Sequence, residues 1–156
     1  EIAYAHAQGV RTAVVPGISS ALAVPASLFI PVTARGTSES FWVVTGTTRD
    51  GEISGDVALA AQSTATVVIL MGLNRIKEIM GKFLASGKSE TPVAIIQNGT
   101  LPDQKSVMGN VSTIADLAAA AGIGSPAIIV VGEVVTLSQQ LEEITTQAVT
   151  QFRYGT

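Results

Sequence analysis

The sequence predicts an α/β fold with a mixed sheet flanked by helices, and three observations carry that expectation. Short runs suited to strands recur at 40–45, 66–71, 93–97, 105–109 and 127–131, each of strand length. Helical stretches lie between several of them, at about 57–62, 76–86 and 113–121, and strands alternating with helices argue for an α/β sheet. The stretch 98–104 leaves no room for a crossover helix, so the strands on either side of it form a hairpin and the sheet is mixed rather than purely parallel.

Upstream of these elements, residues 2–8 read as the last turns of a helix capped by Gly9. The chain opens at Glu1 without an initiator Met, and a preceding segment is expected. Thr12-Ala13-Val14-Val15 reads as a short buried strand, and the run from Gly17 to Val24 opens a second helix whose serines can cap free N–H groups. Pro31 and Gly36 punctuate a connection, and a domain junction is expected there. The organisation that follows is residues 1–36 as the end of one domain with its connection, 37–144 as an α/β domain, and 145–156 as a polar tail. That tail has no clear apolar periodicity and is expected to fray or to meet a partner.

Composition narrows the function. Of 156 residues, 47% are hydrophobic and 13% charged, which excludes a disordered chain, and with 4% aromatic residues the core must be built from Ala, Val, Ile and Leu. The net charge of −3, with scattered Lys and Arg, lacks the basic face that neutralises phosphates, so no nucleic-acid partner is expected. There is no cysteine, hence no disulfide framework or thiolate metal site, and a cytoplasmic location is the default expectation. The apolar runs at 65–71 and 127–131 are far short of the ~20 residues a membrane-crossing helix needs, so no membrane partner is expected.

Several motif matches fail on context. Gly122-Ile123-Gly124-Ser125-Pro126-Ala127 fits a dinucleotide fingerprint, but it follows a helix and precedes a strand, the reverse of what places pyrophosphate at a helix N-terminus. It reads as a helix cap and turn. Residues 81–89, ending in Gly87-Lys88-Ser89, resemble a P-loop with mis-spaced glycines at a helix end. His6 is the single histidine and reads as a surface residue, which leaves no triad or multi-histidine metal site. Asn98-Gly99-Thr100 and Asn110-Val111-Ser112 fit the glycosylation pattern, which matters only in secreted chains. Glu142 and Glu143 are adjacent, do not face each other, and read as solvated.

Three segments remain, each with Gly or Pro at a strand end, where open α/β sheets bind ligands: Val14 to Ala21, Val68 to Gly72, and Ala94 to Thr100. Glycine lets a backbone approach a ligand closely, and a strand end offers N–H and C=O groups, so together they point to a small-molecule site. Pro16-Gly17-Ile18-Ser19-Ser20-Ala21 resembles the Pro-Gly-Ile segment of tetrapyrrole methylases. Val43-Val44-Thr45-Gly46, Leu70-Met71-Gly72, Asn98-Gly99-Thr100 with Pro102-Asp103-Gln104-Lys105, and Ser125-Pro126-Ala127 running to Gly132-Glu133-Val134-Val135 follow in that family's order. The resemblance spans roughly residues 9–137, and the stretch 100–105 favours the uroporphyrinogen-III branch.

This resemblance implies the C-terminal domain of a two-domain α/β homodimer that uses S-adenosyl-L-methionine to C-methylate uroporphyrinogen III to precorrin-2, on the route to sirohaem and cobalamin. S-adenosyl-L-homocysteine is the implied product, with the cofactor held between the domains. Carried over by position, Ser19, Ser20, Met71 and Gly99 are the implied cofactor contacts. On their own the same residues read as a helix cap, core packing and a turn. Arg35, Arg49 and Lys105 are candidate anchors for the substrate carboxylates, and solubility accounts for them equally well. Neither a metal nor a protein nucleophile is implied. The family's glycine- and proline-rich loop, its Gly-Gly-Asp-Pro segment and its acid/base residues belong before Glu1, and Ala34 stands where the family often has His. The alternatives are another tetrapyrrole or precorrin methylase, or a non-catalytic fragment that supplies half of a cofactor site and a dimer contact.

Overall fold

The structure, a computed structural model, describes the backbone of residues 1–154 and the side chains through residue 145. Helix α1 (Ile2–Ala7) ends as expected before Gly9, which takes φ +73°. Helix α2 (Ser20–Ser27) starts at Ser19, whose hydroxyl accepts the Ala21 N–H at 3.2 Å. Pro25 removes one backbone donor near its C-terminus, and the helix stops two residues later.

The sheet that follows has five strands, β1 (Phe41–Thr45), β2 (Thr66–Leu70), β3 (Pro92–Gln97), β4 (Lys105–Asn110) and β5 (Ala127–Val131), in the order β1-β2-β5-β3-β4. Only β1 and β2 run parallel; β5 lies antiparallel to both β2 and β3, and β3 and β4 form the expected hairpin. Helices α3 (Gly55–Gln62), α4 (Ile76–Ala85) and α5 (Ile114–Ala120) connect the strands, and α6 (Leu137–Tyr154) ends the described part. Short 3₁₀ turns at Leu73–Arg75 and Glu133–Thr136 precede α4 and α6.

Successive side chains on a strand point to opposite faces, and in the three central strands β2, β5 and β3 both faces are buried. Val67, Ile69, Ile95 and Ile129 pack against Val57 of α3, Ile79 and Phe83 of α4 and Ile114 of α5. On the opposite face Val68, Ala94, Ile96 and Val130 pack against Ala21 and Val24 of α2 and against Val134 and Val135. Continuous apolar runs, without polar alternation, are what two-sided burial requires.

Two expectations need correction. Residues 12–15 form no strand: Val14 is 76% and Val15 85% exposed, and no described segment pairs with them. Val-rich composition yields a strand only where a partner edge completes the ladder. The stretch from Thr145 onward, read as a tail without periodicity, continues α6 as helix to Tyr154. Its side chains from 146, and residues 155–156, lie outside the described part. The rejected motifs fall as anticipated: Gly122 takes φ +61° after α5, Gly87 φ +76° after α4, and His6, Glu142 and Glu143 are exposed.

At the C-terminal ends of the parallel pair the backbone is held by contact between glycines. The Gly46 N–H donates to the Leu70 carbonyl at 2.6 Å, and a Cβ on Gly46 would stand 2.5 Å from the Gly72 Cα. Gly46→Ala is therefore expected to destabilise the domain by about 1–3 kcal/mol, because backbone rather than a flexible side chain must give way. Gly81, inside α4 with open space at its Cβ position, predicts the opposite sign: Gly81→Ala adds about 0.5–1 kcal/mol. Urea unfolding of the two variants checks both.

Candidate functional site

A cleft of 790 Å³ opens where β2 and β3 end and β5 begins. Leu70, Ile96 and Ile128 form its apolar floor, Met71 and Gly99 stand at the strand ends, and α2 contributes Ser20 and Val24 as a wall. Thr47, Asn74, Arg75 and Asn98 add the polar groups. An apolar pocket of a few hundred Å³ with a small number of polar groups has the character of a small-molecule site.

The backbone around the cleft is unusual. Met71 takes φ +53°, Asn98 φ +50° and Thr100 φ +71°, a left-handed conformation that non-glycine residues adopt at a cost of order 1–3 kcal/mol and that clusters at ligand clamps. Each is held by its surroundings. The Thr47 hydroxyl donates to the Met71 carbonyl at 2.8 Å. The Asn98 N–H donates to the Pro126 carbonyl at 3.1 Å and its side-chain amide to Asp103 Oδ2 at 2.7 Å. The Met71 side chain, 66% exposed, projects from the rim rather than packing in the core. Gln97, at the end of β3, accepts the Gly124 N–H at 2.6 Å and so ties the loop before β5 to the cleft floor.

Electrostatically the cleft is nearly neutral. Arg75 is its one charged lining residue among those described, and two carboxylates compensate it: Glu52 at 4.0 Å, and Glu78, whose Oε1 lies 2.8 Å from Arg75 Nε without the alignment of a hydrogen bond. Lys88, whose ammonium burial pushes below the usual lysine range, donates to the Ser63 carbonyl away from the cleft and braces α3 against the end of α4. Among the described residues no group of three or more His, Asp or Glu side chains gathers to hold a metal ion.

Of the residues singled out from the sequence, Ser20, Met71 and Gly99 meet in this cleft although up to about eighty positions separate them. Ser19 faces its own helix as the α2 cap. Arg35, Arg49 and Lys105 are exposed and do not line the cleft. Thr47, Asn74 and Arg75 were not singled out. Thr47 follows the quoted Thr45-Gly46 strand end and could have been found by extending that motif, whereas Asn74 and Arg75 belong to a 3₁₀ turn that no local pattern announced.

Residues 1–115 match the family model for tetrapyrrole (corrin/porphyrin) methylases. The chain belongs to the tetrapyrrole methylase family. Its similarity to a uroporphyrinogen-III C-methyltransferase of Methanocaldococcus jannaschii is 40% identity over 80% of the chain and 52% of that protein. To a siroheme synthase of Chromobacterium violaceum it is 38% over 90% of the chain and 30% of that protein. The chain thus spans about half, or less, of the length of these methylase relatives. The crystal structure of a Thermus thermophilus uroporphyrin-III C-methyltransferase complexed with S-adenyl homocysteine superposes with a TM-score of 0.72 at 27% identity, over 87% of this chain and 59% of that one. A cobalt precorrin-4 methyltransferase at 23% identity shares the fold, with a TM-score of 0.77.

In this methylase domain Gly99 has a steric role besides any contact with a ligand. A Cβ there would fall 2.3 Å from Val24 Cγ1, so the hairpin loop can lie on α2 only with glycine in place. Gly99→Ala is expected to cost about 1–3 kcal/mol in urea unfolding, and Val24→Ala in the same protein to recover part of that cost. Strict additivity of the two substitutions would refute the contact.

Proposed function

We propose that the full-length protein, of which this stretch is a part, converts uroporphyrinogen III to precorrin-2 by C-methylation with S-adenosyl-L-methionine, and that the cleft supplies the C-terminal half of the cofactor site. The observation that carries this reading is the meeting of Ser20, Met71 and Gly99 around one apolar cleft of 790 Å³. The relatives named above support it.

The chemistry of the cleft suits the cofactor. Leu70, Ile96 and Ile128 offer an apolar slot for a flat heterocycle, and the strand ends present backbone groups to its edge. A lining whose one guanidinium is already paired sets no uncompensated positive charge against a sulfonium. The cofactor, when bound, supplies an electrophilic methyl group for an electron-rich pyrrole carbon. The protein's part is positioning, an effect that can contribute ~7–11 kcal/mol of the barrier. Arg35 and Lys105, exposed outside the cleft, are the cations assigned to the substrate's carboxylates. Homodimeric assembly in the cytoplasm belongs to the same proposal, as does the inactivity of this stretch alone.

Calorimetric titration of S-adenosyl-L-homocysteine into this 156-residue stretch and into the full-length protein tests it. Tight binding by the full-length protein only, weakened about tenfold by Met71→Ala through loss of apolar contact, is the expected result. Absence of binding by both proteins overturns it.

A further inference from the structure

The loop 98–104 joins β3 to β4 and carries Gly99 and Leu101 into the cleft. Its conformation is improbable in isolation: Asn98 and Thr100, on either side of Gly99, are both left-handed, and for a β-branched residue such as Thr100 that is a genuine outlier. Such backbone persists only where its surroundings over-determine it. The Leu101 N–H donates to the Asn98 carbonyl at 3.0 Å and closes the turn, and at Thr100 one side-chain atom adds to that bond. Gln104 Oε1 accepts the Thr100 N–H at 2.6 Å, and the Ser27 hydroxyl of α2 lies 3.3 Å from the same oxygen. The hydroxyl also bonds the Val24 carbonyl at 2.7 Å, so its contact to Gln104 is the weaker of the two. Because a backbone N–H can be met only by an acceptor, the atom facing Thr100 is the amide oxygen.

We infer that Gln104 is a positioning residue of the cleft. Its side-chain oxygen fixes the left-handed turn at Thr100, holds Gly99 and Leu101 at the cleft wall, and links that loop to α2, which brings Ser20 and Val24 to the same space. Gln104 itself does not line the cleft, so its effect on a ligand is exerted through the loop. Only the acceptor oxygen is used, so glutamate can replace it and a residue of equal length without an acceptor cannot. This inference rests on the cofactor reading of the cleft.

The test compares wild-type, Gln104→Glu and Gln104→Met forms of the full-length protein by calorimetric titration with S-adenosyl-L-homocysteine, with thermal unfolding of each. Gln104→Glu is expected to bind within about twofold of wild type, and Gln104→Met about tenfold more weakly while its Tm stays within about 3 °C. Wild-type binding with an equally tight Gln104→Met overturns the inference and leaves the cofactor reading standing. So does a Gln104→Glu as weak as Gln104→Met, or a Gln104→Met that does not fold, since Gln104 would then serve the fold rather than the cleft. A wild type that binds nothing overturns the cofactor reading itself.

Discussion

Strands β2, β5 and β3 have neighbours on both edges and apolar cover on both faces, and this constraint decides where the domain can meet a ligand. Their N–H and C=O groups are committed to the ladders, and their side chains, from Val67 to Val131, are buried within the core. What stays available is the ends. The antiparallel setting of β5 brings its first residues opposite the last residues of β2 and β3, Ile128 against Leu70 and Ala127 against Gln97, so three strand ends converge without any strand changing its register. The contact of Gly46 with Gly72 keeps this edge compact, since a side chain at Gly46 would push against the Gly72 backbone, and one at Gly72 would press into Ile79, Ile69 and Ile129 of the core.

The same constraint explains what could be read from the sequence. The runs of β2, β3 and β5 stand out because two-sided burial leaves them apolar, whereas the edge strands β1 and β4 are exposed along much of their length and β4 carries Lys105, Ser106 and Asn110. The hairpin follows from the short stretch between β3 and β4. Residues 12–15 have the same composition and form no strand. A run of Val and Ala records that a segment is suited to burial, but the partner that would bury it is not written in the segment. Met71 shows the limit at finer scale. It continues the apolar run 66–71, yet the strand stops at Leu70 and Met71 turns left-handed, its carbonyl held by Thr47 from a different connection.

Of the candidate site, glycine and proline at strand ends pointed only to a small-molecule site; Ser20, Met71 and Gly99 are the residues that the methylase resemblance implies, and the fold brings them to one cleft. Ser19 shares the motif with Ser20 but turns its hydroxyl to its own helix, a distinction set by side-chain direction rather than by composition. Thr47, Asn74 and Arg75 enter because the fold brings their connections together, a relation that no window of sequence contains.

The cleft combines soft and hard elements in a way that bears on ligand recognition. Its floor is apolar and non-directional, suited to contact area rather than to orientation. Orientation must come from the rim, and there the backbone is bent into left-handed turns at Met71, Asn98 and Thr100, the first two braced from other segments by Thr47 and the Pro126 carbonyl and the third by Gln104 of its own loop. Glycine would adopt these angles freely but would also leave them freely, at an entropic cost when a ligand is bound. Met, Asn and Thr, strained and then clamped, hold the turns before the ligand arrives. Gly99 is kept where a Cβ would run into Val24, because there the rim rests directly on α2. Rim and wall are therefore coupled, and a change in the clamp at Gln104 reaches both through the loop and α2.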